Sequence, residues 1–508
     1  GSRAWNGYPA AYGMDPRVAN DPLYRDRLKP ALQSLPTLSI VCRSEDLFGP
    51  RSGLYLHAEA RGETWEKPCS AELILSDGSK GFQVDCGLRM QGNSTRMDMK
   101  TPKHAFRLAF KEKFGPPKLN YPIFPDSTVT KFDTLVLRAD FNVSWLHWDA
   151  GTRPHSQRIR DAWTKDSHRA MGGLAGHNRY VHLYLNGLYW GVYDAAERLD
   201  ASFAASYLGG TKNDYDVVNE YQVKDGTMEA FNALQSVPGL ANRSAYRKLQ
   251  QLLDVPQFID YLLLNYYVGS RDWGDSKNWY AIRRRAPAGA FQFLVWDAEQ
   301  VLLDANDDML SSPYLPPFRL AGELAANAEF KLAFADRVQK HFFNGGALTP
   351  AAAAERWMKR AREVDLAIIA ESARWGYYRR NPPFTRDRDW LAEQQRLLKS
   401  YFPVRTTIVL DQLRAAGLYP KIAAPTFNQQ GGAVPEGFQL TMAARGGGAI
   451  YYTTDGFDPC VPATGAVSPH AKTYSSPVSL PNSATVKARV LKQETWSALV
   501  EAPLTTAA

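Results

Sequence analysis

The sequence predicts an α+β fold followed by a small all-β domain. Three observations carry this. Residues 52–114 form a β-rich stretch, residues 226–268 and three later segments carry helical spacing, and from about residue 421 the texture shifts to short strands, Gly/Pro turns and Thr/Val enrichment. At 508 residues the chain has room for roughly two to four domains. Its 44% hydrophobic and 22% charged content is that of an ordinary globular protein. No apolar run reaches the roughly 18 residues a membrane-spanning helix needs. No leader pattern is visible, which says nothing about secretion.

Residues 1–36 are polar and turn-rich, a lead-in with one short helix expected at 22–33. Thr37–Cys42 reads as a strand. The stretch SAELIL-SDGSKG-FQVDCG reads as a hairpin with Cys69 and Cys86 equidistant from its Asp77-Gly78 turn. The two cysteines fit either a disulfide in an oxidising compartment or two unlinked buried thiols. The four cysteines show no metal-type spacing. Residues 89–103, RMQGNSTRMDMKTPK, form a basic Gly/Ser/Thr turn that offers N–H groups and cations to phosphate, though it is not a Walker loop. The strand that follows alternates: His104, Phe106, Leu108 and Phe110 share one face, Lys103 and Arg107 the other.

Residues 132–138 form a buried strand and 156–171 a helix. Asn186-Gly187 between YVHLYL and LYWGVYDAAE is a strong hairpin signal. His182 on that ladder reads as a packed strand residue. Glu197 closes the hairpin, as a helix-start carboxylate or a partner for Lys103. DVPQFIDYLLLNYYV is a helix capped by Asp254 with Pro256 in its first turn. Helices are expected at 322–343, 351–373 and 387–416, the last interrupted near Pro403. Residues 421–508 form a β-sandwich of about 85 residues.

The chemistry concentrates in residues 262–304, which gather Asp272, Asp275, Asn278, Asp297 and Glu299. A hairpin of Asn278–Arg283 and Phe291–Trp296 sets Asn278 at its entrance beside Asp297 at its exit, with Asp272 just upstream. Two carboxylates and a carboxamide at one hairpin mouth suit Mg²⁺ and phosphoryl transfer. The neighbouring Arg283-Arg284-Arg285 run suits anionic phosphates or a solvated strand edge. A net charge of +8, spread along the chain, gives no nucleic-acid stripe.

The order RMQGNS…KHAFRLAF, FDTLVLRADFN, YVHLYLNGLYWGVYDAAERLD, RDWGDSKNWY and FLVWDAE resembles the CotH family of spore-coat-protein-H-like atypical protein kinases, over residues 37–418. IYYTTDGFDP…TVKARVL, within 421–508, resembles the chitobiase/hexosaminidase C-terminal sandwich, an accessory module with a possible glycan contact. The first resemblance implies a divergent two-lobed kinase-like fold that binds ATP with Mg²⁺ (or Mn²⁺) and phosphorylates Ser/Thr of secreted or surface proteins. Its location would be secreted or cell-surface. By motif, Lys103 and Arg107 would meet the nucleotide, Glu197 would orient Lys103, Asp272 would be catalytic, and Asn278, Asp297 and Glu299 would hold metal. Asp272 lies six residues before Asn278, where ordinary kinases have five, and Asp275 competes for the catalytic role. Glu299 stands where Asp or Asn is expected. The competing readings are a non-catalytic surface-binding scaffold and a carbohydrate-active enzyme using its carboxylates as an acid/base pair.

Overall fold

The computed structural model describes residues 4–274, 277–310 and 319–506. The N-terminal lobe is a closed seven-stranded barrel. Its strands are β1 (Thr37–Val41), β2 (Lys67–Ile74), β3 (Lys80–Gln91), β4 (Ala105–Ala109), β5 (Thr134–Arg138), β6 (Asn178–Leu185) and β7 (Leu188–Glu197). They run in the order β6-β7-β5-β4-β3-β2-β1, and the parallel pair of β6 with β1 closes the ring. The β6–β7 turn is built by Asn186 and Gly187, both at positive φ, as the Asn-Gly signal requires.

Register decides what the barrel wall offers. Phe106 pairs with Leu137 and Leu108 with Leu135, and all four point into the barrel core. Arg107 pairs with Val136, so Arg107, Val136 and Arg138 share the outer face. The predicted alternation of Phe106, Leu108 and Phe110 against Arg107 is therefore the inside and outside of a barrel wall. Cys69 and Cys86 are opposite each other in the β2–β3 ladder, with sulfurs 3.5 Å apart, and both are free thiols.

A second sheet packs below, from β8 (Tyr215–Asn219), β9 (Gln222–Asp225), β10 (Trp279–Arg284) and β11 (Gln292–Val295), in the order β9-β8-β10-β11. Helices surround it. Those used below are α1 (Arg160–Ala170), α2 (Val255–Val268), α3 (Ala328–Phe342), α4 (Pro350–Val364), α5 (Ala367–Trp375) and α6 (Phe402–Ala415). The α2 ends are those read from sequence: the Asp254 side chain accepts from the Gln257 N–H, and Gly269 closes the helix in the left-handed region. The interruption expected near Pro403 is a π-helical turn, Leu397–Tyr401, which hands over to α6 with Pro403 in its first turn. No helix among the described residues is long and apolar enough to cross a membrane.

Both ends pack onto the body of the chain. In the N-terminal segment Trp5 is buried against Tyr55 and Trp190 in the barrel core. The C-terminal β region, built on β12 (Ala449–Thr453), β13 (Ala484–Lys492) and β14 (Val500–Thr506), shares one continuous apolar cluster with the helical lobe. Arg489 on β13 clamps the junction. Its side chain is fully buried and reaches Asp336 on α3 (2.6 and 2.7 Å) and Asp458 (2.6 and 2.7 Å).

Candidate active site

A cleft of about 610 Å³ lies between the outer face of the barrel and the second sheet. Its roof is the loop after β3. Gly92 there has φ +93°, and a Cβ would stand 2.2 Å from the Thr95 hydroxyl, so glycine is required by both backbone and space. Arg96 holds the loop's shape by donating to the carbonyls of Gly92 (2.6 Å), Met90 (2.6 Å) and Ala60 (2.7 Å). Lys100 donates to the Ser94 hydroxyl at 3.1 Å. Residues 92–96 line the cleft, while the Arg96 and Lys100 side chains make their bonds within the loop and to its neighbours.

The floor comes from the central stretch. Asp272, Asn278, Asp297 and Glu299 all line this cleft, as does Arg107 from the roof. The β10–β11 register, Trp279 opposite Val295, puts Asn278 and Asp297 at one hairpin mouth. The loop after Asp297 is bonded to the end of α2: Leu302 N–H donates to Val268 (2.7 Å) and Arg271 N–H to Gln300 (3.0 Å). Buried Trp273 anchors the Asp272 loop by donating to the Tyr261 hydroxyl at 2.7 Å. The Asn278 amide nitrogen donates to the Asp272 carbonyl at 2.7 Å, which leaves its oxygen to serve a cation. Asn278 (φ 63°) and Asp297 (φ 55°) both stand in the left-handed region, where Asn and Asp are the least costly non-glycine residues. Asp275 lies outside the described residues.

Three residues that were not singled out from sequence complete the floor. Arg138, at the end of β5, bridges Asp297 and Glu299 with one guanidinium nitrogen, the Glu299 contact being 2.5 Å. Asp161, in the first turn of α1, accepts from the Ala298 N–H at 2.9 Å and so fixes the peptide between the two acids. Asn142 N–H donates to the other Glu299 oxygen at 2.6 Å. Burial pushes the Glu299 carboxyl up to about 7, the Asp297 charge adding to it and Arg138 opposing. For Arg138 burial disfavours the charge, but Asp161, Asp297 and Glu299 outweigh it and hold the guanidinium well above its ordinary value. Burial draws Arg107 down to about 9, with Arg198 and Arg89 adding.

Two expected site residues lie elsewhere. Lys103 precedes β4 and is not part of the cleft lining; it is buried beneath the barrel wall. Its ammonium donates to the Val192 carbonyl (2.6 Å) and to both Glu371 oxygens (3.0 and 3.2 Å). Glu371, on α5, also meets Arg158 at 2.5 Å and accepts from the Val192 N–H at 2.7 Å. Gly191 makes the space: a Cβ there would lie 2.6 Å from a Glu371 oxygen and 3.0 Å from the Lys103 nitrogen. Two cations share one carboxylate. Arg158 keeps Glu371 ionised, and Lys103 is drawn down to about 7, by burial first and by Arg158 second. Glu197 does not orient Lys103. It accepts from the Tyr207 hydroxyl (2.9 Å) and the His177 N–H (2.8 Å). The sequence hid this because Glu371 lies 268 residues from Lys103. The run Arg283-Arg284-Arg285 also stays away from the cleft: Arg283 donates to the Gly289 carbonyl at 2.9 Å and Arg285 pairs Asp216 at 3.4 Å.

Among the described residues no cluster of three or more His, Cys, Asp or Glu side chains forms a closed metal cage. Two carboxylates and a carboxamide instead line an open cleft, and their oxygens are donors of the type that suits a hard divalent cation. A barrel lobe over a helical lobe, with acids on the floor and a glycine loop on the roof, defines a kinase-like protein. The CotH kinase protein family matches residues 88–402, and the chain belongs to that family. A Fn3-associated domain matches residues 438–501, within the C-terminal β region. No curated protein matches the chain.

Proposed function

We propose that the protein is an ATP- and Mg²⁺-dependent protein kinase that phosphorylates Ser or Thr of secreted or surface proteins. The observation that carries this is the meeting of Asp272, Asn278, Asp297, Glu299 and Arg107 on one cleft under a glycine-bearing loop. In this reading Asp297, Glu299 and Asn278 hold the metal, which when bound neutralises charge on the transferring phosphoryl group. Asp272 orients the substrate hydroxyl and accepts its proton as the oxygen attacks. Its Lys277 neighbour pairs with that carboxylate at 3.2 Å. Arg107 and the loop N–H groups of residues 92–95 receive the nucleotide phosphates. A secreted or cell-surface location suits a protein with this substrate class.

The test is transfer from radiolabelled ATP to a Ser-rich acceptor by parent and Asp272→Asn. The variant is expected to bind ATP as the parent does and to lose roughly 10²–10⁴-fold in transfer. Equal transfer by the two moves the base elsewhere. A parent with no ATP- and metal-dependent rise in melting temperature is no kinase, since a ligand of the native state must stabilise it.

A further inference from the structure

We infer that Arg138 is the resident counter-ion of the metal-binding acids, and that a divalent cation therefore enters this site together with a nucleotide and not alone. The inference rests on the reading of Asp297 and Glu299 as metal ligands.

The geometry is specific. One guanidinium nitrogen of Arg138 touches a carboxylate oxygen of both Asp297 and Glu299, in the position a bridging cation would take. The side chain cannot drift away at little cost. Its backbone is held in β5 opposite Asp194, it is 7% exposed, its guanidinium lies 5.6 Å from the centre of the Trp296 ring, and its Nε stands 3.5 Å from Asp161. A tethered cation in a partly desolvated site competes far more strongly than a solvated one, because its charge is less screened and it pays no association entropy. A bare metal ion must then either displace this guanidinium or sit against it as a like charge.

A nucleotide changes the balance. Its phosphates bring negative charge into the same cleft and give Arg138 new acceptors, for which a planar guanidinium is well suited. Asp161 is not stranded when Arg138 turns, because Lys165 already pairs with it at 2.7 Å. The two acids on the floor are then released to the metal. Binding of metal and nucleotide becomes mutually dependent, as any coupling between two ligands must be.

The test follows Mn²⁺ by its paramagnetic resonance signal, using the full chain with or without a non-hydrolysable ATP analogue, each sample read against a protein-free one because the analogue chelates Mn²⁺ by itself. The parent is expected to leave Mn²⁺ free until the analogue is added. Arg138→Met is expected to take up Mn²⁺ without nucleotide, at least tenfold more tightly than the parent. Arg138→Lys, which retains charge but cannot span both acids in the same way, is expected to fall between them and serves if the Met variant does not fold. Parent binding of Mn²⁺ alone as tightly as either variant overturns the inference. So does a folded Arg138→Met that gains nothing alone yet binds Mn²⁺ with the analogue. A Mn²⁺ signal that matches the protein-free sample in every case, analogue included, overturns the assignment of the metal ligands, and this inference falls with it.

Discussion

Lys103 separates an expectation drawn from family motif from one drawn from geometry. Replacing it with Met removes the donor to the Val192 carbonyl and one of the two cations on Glu371. A buried acceptor left without a donor costs about 1–3 kcal/mol, and a lost charge-assisted bond about 1.5–3 kcal/mol. The apolar Met stem and the surviving Arg158 contact offset part of this, so the net loss is about 3 kcal/mol. Glu371→Gln leaves Lys103 and Arg158 facing each other without an anion, and is expected to cost more, about 3–5 kcal/mol. At an m-value of about 3 kcal/mol/M the Lys103→Met loss is a shift of about 1 M in the urea midpoint. The assay is urea unfolding at pH 7, paired with ATP titration of the folded variants. Lys103→Met should keep most of its ATP affinity, and Arg107→Met should lose more of it at little cost in stability. An unmoved urea midpoint together with a tenfold weaker ATP affinity in Lys103→Met would refute this reasoning and return Lys103 to the cleft.

Three further outcomes are expected. Gly92→Ala should weaken ATP binding with little change in melting temperature, because the Thr95 clash and the positive φ displace only the cleft loop; parent-like affinity would mean that the loop does not meet the nucleotide. Arg489→Met should leave Asp336 and Asp458 facing each other across the junction and cost about 3–5 kcal/mol. Hydrogen exchange in β13 that matches the parent would show the clamp to be dispensable. Acid should destabilise the fold above the carboxylate range, since burial draws the rings of His168 and His182 down to about 4 from 6.5. Each stays neutral in the folded state while the unfolded chain takes up a proton as pH falls through 6.5. The unfolded state thus binds more protons between pH 6.5 and 4, and stability falls there by up to about 3 kcal/mol per ring. Urea midpoints that stay flat from pH 7 to 4.5 would contradict this, and His182→Gln should remove its share of the slope.

The local chemistry of the floor was legible in the sequence. Apolar runs ending at Val268 and Trp296 set a helix end and a hairpin, and residues within one hairpin length must be neighbours, so Asp272, Asn278 and Asp297 could be grouped from spacing alone. Alternation around Arg107 gave its face for the same reason: strand parity is fixed by covalent geometry. Asn-Gly at 186–187 and the Asp254 cap are equally local, and both stand where they were read.

What remained belonged to contacts between distant segments. Lys103 has the parity of Arg107, but β4 begins at Ala105, and the partner waiting for Lys103 is Glu371 rather than Glu197. Arg138 read as the end of a buried strand, and Asp161 as one residue of a helix; only the packing of β5 and α1 against the hairpin mouth makes them part of the site. Arg489 looked like an ordinary strand residue, because nothing near it announces Asp336, 153 positions away. Sequence spacing determines which groups are neighbours within a turn or a hairpin. Which charge meets which across the core is set by how whole elements pack, where a buried ion must find its counter-ion wherever the chain has placed it.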